Sequence, residues 1–224
     1  MRYRKLGNTD LDVSLITLGT MTWGEQNTQA EGFAQIRRAQ ACGINFIDTA
    51  EMYPVPPKAE TYATTERFIG NWFKERGDRA DWVLASKIAG PGNGISHIRD
   101  GQLKHNRQHI VAALEESLKR LQTDYVDLYI IHRWDYATPI EETMEALHGL
   151  VRSGRVRALG ASAMYGYQLH NLQALADEHG WTRFAALQNH YNLLYREDER
   201  ELIPVCRQFG MSLTPYSPPA SGHL

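Results

Sequence analysis

Cysteine is scarce: Cys42 and Cys206 stand far apart, with no CxxC pair and no zinc-type Cys/His spacing. That argues against a disulfide framework or a structural metal and fits a reducing cytoplasm. No run approaches the ~18 apolar residues of a membrane span, and the start at Met1-Arg2-Tyr3-Arg4 has no apolar h-region, so no membrane association is expected. Neither sign of charge dominates, since 24 Lys and Arg face 26 Asp and Glu. Bulk charge therefore recruits neither nucleic acid nor an anionic membrane. Nucleotide signatures are missing as well. The first strand is followed by Gly19-Thr20-Met21-Thr22-Trp23-Gly24 instead of GxGxxG, and Gly90-Pro91-Gly92-Asn93-Gly94 lacks the Lys-Ser/Thr of a P-loop and reads as a mobile loop. His105, His109 and His190 show neither HExxH nor paired spacing, so no metal site is expected. What is present is 224 residues, 42% hydrophobic and 22% charged, which suits one globular domain over residues 1–224 with small-molecule partners.

Residues 2–13 carry a turn signal at Gly7-Asn8-Thr9-Asp10 and read as a small capping hairpin. Strand and helix then alternate. Leu15 to Leu18 reads as a strand, and Thr28 with Glu31 as the capping box of a helix that buries Phe33, Ile36 and Ala39 and runs to Gly43. A strand ends at Asp48, and Phe68, Ile69, Trp72 and Phe73 stripe the next helix. Trp82 to Ser86, Val126 to Ile131, Val156 to Leu159, Phe184 to Leu187 and Met211 to Pro215 supply five more strands. Thr138-Pro139-Ile140-Glu141 reads as a second capping box, with proline in the first helical position. Seven strands at a spacing of roughly 30 residues, each but the last followed by a helix, have the beat of a parallel βα barrel. An open doubly wound sheet is the alternative, and the absent GxGxxG turn disfavours it.

In a parallel barrel every strand exit lies at one end, which gathers the polar residues found there. Asp48 follows a buried apolar run, and a carboxylate in that position asks for a cation. Lys87 supplies it. A cation near the Tyr53 hydroxyl is expected to favour the phenolate and lower the phenol pKa from about 10. Tyr53 then becomes a usable acid, and His132 can bond and polarise a carbonyl oxygen. Trp23 and Trp134, in exit loops, are candidates for lining a substrate pocket.

Asp48, Tyr53, Lys87 and His132 resemble the tetrad of the aldo-keto reductase family. The likeness runs through Asp48-Thr-Ala-Glu-Met-Tyr53, Ala85-Ser-Lys87, Asp124 to His132, Gly160-Ala-Ser162, Gln188-Asn-His-Tyr-Asn192 and Tyr216-Ser-Pro218. The loop at Met52 to Pro57 is similar to a Tas-like bacterial branch, and His132-Arg133-Trp134 to a branch related to potassium-channel β subunits. The resemblance implies a (β/α)8 TIM barrel and NADPH-dependent reduction of an aldehyde or ketone, with Asp48, Tyr53, Lys87 and His132 catalytic. It places Ser162 and Gln188 on the nicotinamide amide, Tyr216 against its ring, Ser217 on the pyrophosphate, and Gly19, Thr20, Met21, Asp48 and Pro218 along the cofactor. Ser162-Ala163 departs from the Ser-Asn of many relatives. The eighth βα unit of the family and its Arg/Lys grip on the adenosine 2'-phosphate do not appear, so the chain reads as truncated, with unpaired edges on its first and seventh strands. Weak NADPH binding and low stability are the corresponding expectations. A non-catalytic nucleotide-binding or subunit-contact module, or an inactive fragment, is the alternative function.

Overall fold

The computed structural model describes residues 1–224. Two short strands, β1 (Tyr3–Lys5) and β2 (Asp12–Ser14), pair antiparallel as the expected hairpin. A parallel series follows: β3 (Leu18–Gly19), α1 (Gln29–Ala41), β4 (Phe46–Asp48), α2 (Thr64–Arg76), β5 (Val83–Ile88), α3 (Arg107–Leu121) and β6 (Val126–Ile131). It continues through α4 (Ile140–Arg152), β7 (Val156–Ser162), α5 (Gly166–His179), β8 (Phe184–Gln188), α6 (Leu202–Gln208) and β9 (Ser212–Leu213). Strands β3 to β9 hydrogen bond in chain order. They form a curled, incomplete (β/α)8 barrel in which β3 and β9 each have one neighbour. No helix is long and apolar enough to cross a membrane.

Period-two alternation sorts each strand between two cores. Ile47, Leu84, Ile88, Tyr129, Leu159 and Leu187 join Ile36, Ile69, Trp72 and Leu114 in the layer between sheet and helices. Phe46, Val83, Ala85, Leu128, Ile130, Ala158 and Ala186 form the inner core. Each fully buried Leu or Ile contributes about 1.5–3 kcal/mol, so the outer layer is the main source of stability. Leu6 and Val13 of the hairpin complete the inner core and close its lower end. The hairpin docks closely: Gly7 N–H donates to Ser212 Oγ at 2.7 Å. A side chain at Gly7 would start 2.2 Å from the Ala185 carbonyl oxygen, on a backbone at φ +54, so only glycine fits.

The capping box of α1 is present, with Glu31 N–H donating to Thr28 Oγ1 and Thr28 N–H to Glu31 Oε2. Other local expectations are corrected. Leu15 and Ile16 are exposed and outside the sheet, because Leu15 N–H donates to Arg2 O and keeps that stretch with the hairpin; β3 begins only at Leu18. No capping box opens α4. Pro139 is the cap residue and Ile140 the first helical one, while the Thr138 hydroxyl donates to Asp135 Oδ2 at 2.6 Å. In the Met211–Pro215 stretch Ser212 and Leu213 form β9, and Thr214 N–H adds one further bond to Leu187 O.

Candidate active site

Register explains the convergence of the polar residues. Asp48, Lys87, His132, Ser162 and Gln188 each lie two positions beyond an inward residue, namely Phe46, Ala85, Ile130, Gly160 and Ala186. The inner face that is apolar at mid-barrel thereby becomes polar at its upper rim. Lys87 is fully buried, and its ammonium donates to Asp48 Oδ2 at 2.7 Å, Thr49 O at 2.8 Å and Tyr53 Oη at 3.2 Å. All three donor sites of the ammonium are used. The other carboxylate oxygen, Asp48 Oδ1, accepts from Gln188 Nε2 at 2.9 Å. Tyr53 and His132 meet edge to face, with ring centroids 5.9 Å apart. The four expected catalytic residues are thus in one place.

The expected direction of the Tyr53 pKa is wrong. Burial of the ring outweighs the nearby Lys87 charge, Asp48 adds to the same side, and the phenol pKa is raised. At Lys87 burial opposes the charge, but Asp48 and Tyr53 together overcome it and the ammonium is held charged. Burial, then Lys87, push His132 well below the ordinary imidazole value. At neutral pH the group is a protonated phenol beside an ammonium and a neutral imidazole. The His132 Nδ1 atom is shut off from solvent without a partner in the protein.

Ser162 and Gln188 are paired in register at the ends of β7 and β8. Asn189, next in line, is buried with both amide atoms unpartnered, a residue that sequence reasoning passed over inside its motif. Thr20 is buried and its hydroxyl donates to Asp48 O at 2.8 Å, while Met21 is exposed and its carbonyl accepts from Val55 N–H. A Cβ at Gly19 would meet nothing within 4 Å, so space is open beside Asp48, its register partner. Tyr216, Ser217 and Pro218 are exposed beyond β9. Tyr216 stacks on His190 at 5.2 Å and 6°, and Tyr195 also stacks on that imidazole, at 4.5 Å. Nothing in the sequence marked that group of three rings.

Trp23 is not a pocket residue. It is buried under Gly32, and its indole N–H donates to Gln35 Oε1 at 2.9 Å. Trp134 is half-buried, packed on the outer core and edge-on to Tyr136. The Gly90–Gly94 stretch packs against Arg133, the residue after His132. A cavity of about 950 Å³ opens elsewhere, between the hairpin loop at Asn8–Leu11 and the starts of β7 and β8. Its Arg157 and Arg183 are already paired, with Asp127 and Asp177.

Residues 15–224 match the sequence model of the Aldo/keto reductase family. Protein tas of Escherichia coli (strain K12) is 40% identical over 235 aligned positions, covering 97% of this chain and 68% of that protein. Versiconal hemiacetal acetate reductase of Aspergillus parasiticus is 36% identical, covering 100% of this chain and 69% of its own length. The uncharacterized oxidoreductase YrpG of Bacillus subtilis (strain 168) is 38% identical, with 100% and 68% covered.

Proposed function

Because this chain belongs to the aldo/keto reductase family, a family of oxidoreductases, we propose that it reduces small aldehydes or ketones to alcohols with NADPH, Tyr53 giving the proton. One observation carries the reading: a single buried ammonium, Lys87, bridges Asp48 Oδ2 at 2.7 Å and Tyr53 Oη at 3.2 Å. The raised phenol pKa supports it, since a donor must hold its proton at working pH until the substrate oxygen becomes more basic. Reduction of the carbonyl carbon would make its oxygen basic; that oxygen would take the Tyr53 proton, and the phenolate left behind would be neutralised by Lys87. Asp48 and Thr49 O fix the direction in which the ammonium points. Neutral His132 orients the carbonyl through a ring nitrogen. Solvent returns the proton to Tyr53.

The donor set fits a nicotinamide at the same rim. The Asn189 amide has no protein partner, Tyr216 offers a half-exposed ring already backed by His190, and space is open at Gly19. NADPH, when bound, supplies the hydride. Ser162 and Gln188 would hold its amide and Tyr216 its ring, with Gly19, Thr20, Met21, Asp48, Ser217 and Pro218 along its length. Gln188 already donates to Asp48, so this reading leaves its carbonyl oxygen and second N–H for the amide.

Two measurements test the proposal: quenching of tryptophan fluorescence on titration with NADPH, and NADPH oxidation with a panel of aldehydes. Tyr53→Phe is expected to lower turnover by about 10²–10⁴-fold, with the NADPH dissociation constant within about twofold of the parent. Turnover surviving in Tyr53→Phe would remove Tyr53 from the mechanism. Saturable NADPH binding without turnover would instead favour a nucleotide-binding module.

A further inference from the structure

Two buried carboxylates stand behind the strand that carries Lys87, and the chemistry above uses neither. Glu66 Oε1 accepts from Ser86 Oγ at 2.6 Å and Glu66 Oε2 from Arg120 Nε at 2.7 Å. Glu51, 1% exposed, accepts at Oε1 from Ala89 N–H at 2.5 Å. Arg99 grips it with two forked bonds of 2.8 Å and also donates to Ala89 O at 3.1 Å. Glu51 stands between Asp48 and Tyr53 in sequence, and its own N–H donates to Lys87 O at 3.2 Å. Backbone and side chain of this one residue therefore tie the segment bearing the proton donor to the end of β5.

Arg99 belongs to a different segment, the loop between β5 and α3. The same loop contributes Ile95, Ile98 and Leu103 to an apolar cluster with Ala50, Met52, Tyr53 and Ala89. The Tyr53 ring is thus buried in an apolar cluster to which this loop contributes three side chains. Arg99 and Asp100 lie at φ 46 and 53, a left-handed backbone that side chains resist and that persists only where its surroundings hold it. The bidentate bond to Glu51 is such a hold. Tyr62, Tyr129, Arg120, Glu66 and His105 are the other titratable groups around this pair, and Lys87, Asp48 and His132 are those around Tyr53.

The geometry points to the Arg99–Glu51 pair as a clasp that holds the β5–α3 loop down on the Tyr53 segment and so keeps the phenol dry and in register with Lys87 Nζ. Arg99 and Glu51 are positioning residues, acting on Tyr53 through the loop, and their role rests on the reading of Tyr53 as proton donor. With the clasp open, water reaches Tyr53 while Lys87 remains beside it, so the phenol titrates at lower pH.

The test compares ultraviolet tyrosinate titration of each protein with that of its Tyr53→Phe counterpart, which isolates Tyr53, alongside NADPH-dependent aldehyde turnover. In Arg99→Met, Tyr53 is expected to titrate about one unit lower. Turnover per folded molecule is expected to fall about 10²-fold, with NADPH affinity unchanged. Arg99→Met leaves Glu51 buried and unpaired, which threatens folding. Arg99→Lys keeps the charge but not the fork, and its folded form carries the same test with an intermediate shift. An unchanged Tyr53 titration in a folded Arg99 variant overturns the clasp, and so does turnover that falls only in proportion to unfolded protein. A parent without carbonyl reduction would defeat the proposed function alone, and the tyrosine titration would still decide the clasp.

Discussion

Replacing Lys87 by Met removes the centre of the polar rim, and the structure sets the size of the effect. The ammonium is fully buried and has three partners, Asp48, Thr49 and Tyr53. Breaking a buried pair by deleting one partner costs about 3–5 kcal/mol, because the remaining charge is left unpaired. The Asp48 side chain keeps 16% exposure and its bond from Gln188, so the lower end, about 3 kcal/mol, applies. For a chain of this size that lowers the melting temperature by about 6–12 °C. The double variant Asp48→Asn/Lys87→Met leaves no orphan charge and should recover to within about 1 kcal/mol of the parent. Carbonyl reduction should stay about 10²–10⁴-fold down in both. Calorimetric melts at neutral pH and NADPH oxidation measure the two effects. A single variant melting with the parent, or a double variant no more stable than the single, would refute the reasoning that the cost lies in the Asp48 charge left without its partner.

Two further outcomes follow from particular residues. Burial pushes the His105 pKa down to about 4 despite Asp135 nearby. The unfolded chain therefore binds the proton first as pH falls, and stability held above about pH 6.5 is lost towards pH 4, on the order of 3 kcal/mol from this group. Melting temperatures across that window should fall less steeply in His105→Gln than in the parent; equal slopes would remove His105 as the cause. At the crossing of α2 and α3, a Cβ on Gly70 would lie 2.1 Å from Arg120 O and 2.9 Å from Leu121 C, both backbone atoms. Gly70→Ala should cost about 1–3 kcal/mol by forcing the helices apart, and an unshifted thermal melt would contradict the close packing.

The barrel and its polar rim were legible because both follow from local pattern. An apolar run that ends in Asp48, Lys87 or His132 shows in sequence where a strand stops and what it delivers. Most of what escaped depends on contacts between distant segments. Glu51 lay inside a quoted motif, yet nothing near it names Arg99 as its partner. The Tyr53 pKa was misjudged because the charge of Lys87 can be read from sequence and the apolar cover from Ile95, Ile98 and Leu103 cannot. Trp23 looked like a loop aromatic until Gly32 and Gln35 were seen to enclose it. Thr138 satisfied a capping pattern but bonds Asp135, a competition that local spacing does not rank.

The docked hairpin has a consequence for how the chain comes to be folded. Gly7 meets Ser212, and Asn8 meets Phe209, at sequence separations of 205 and 201, whereas neighbouring parallel strands pair across one intervening helix. A polypeptide synthesised from its N-terminus therefore makes its lower plug well before the strands it docks on, and completes the docking only after β8 and β9 have left the ribosome. Through that interval Leu6 and Val13 have no inner core to enter. Arg2, Arg4, Lys5, Asp10 and Asp12 flank them in sequence, and charges so placed act as gatekeepers against premature association of an unpaired apolar ribbon.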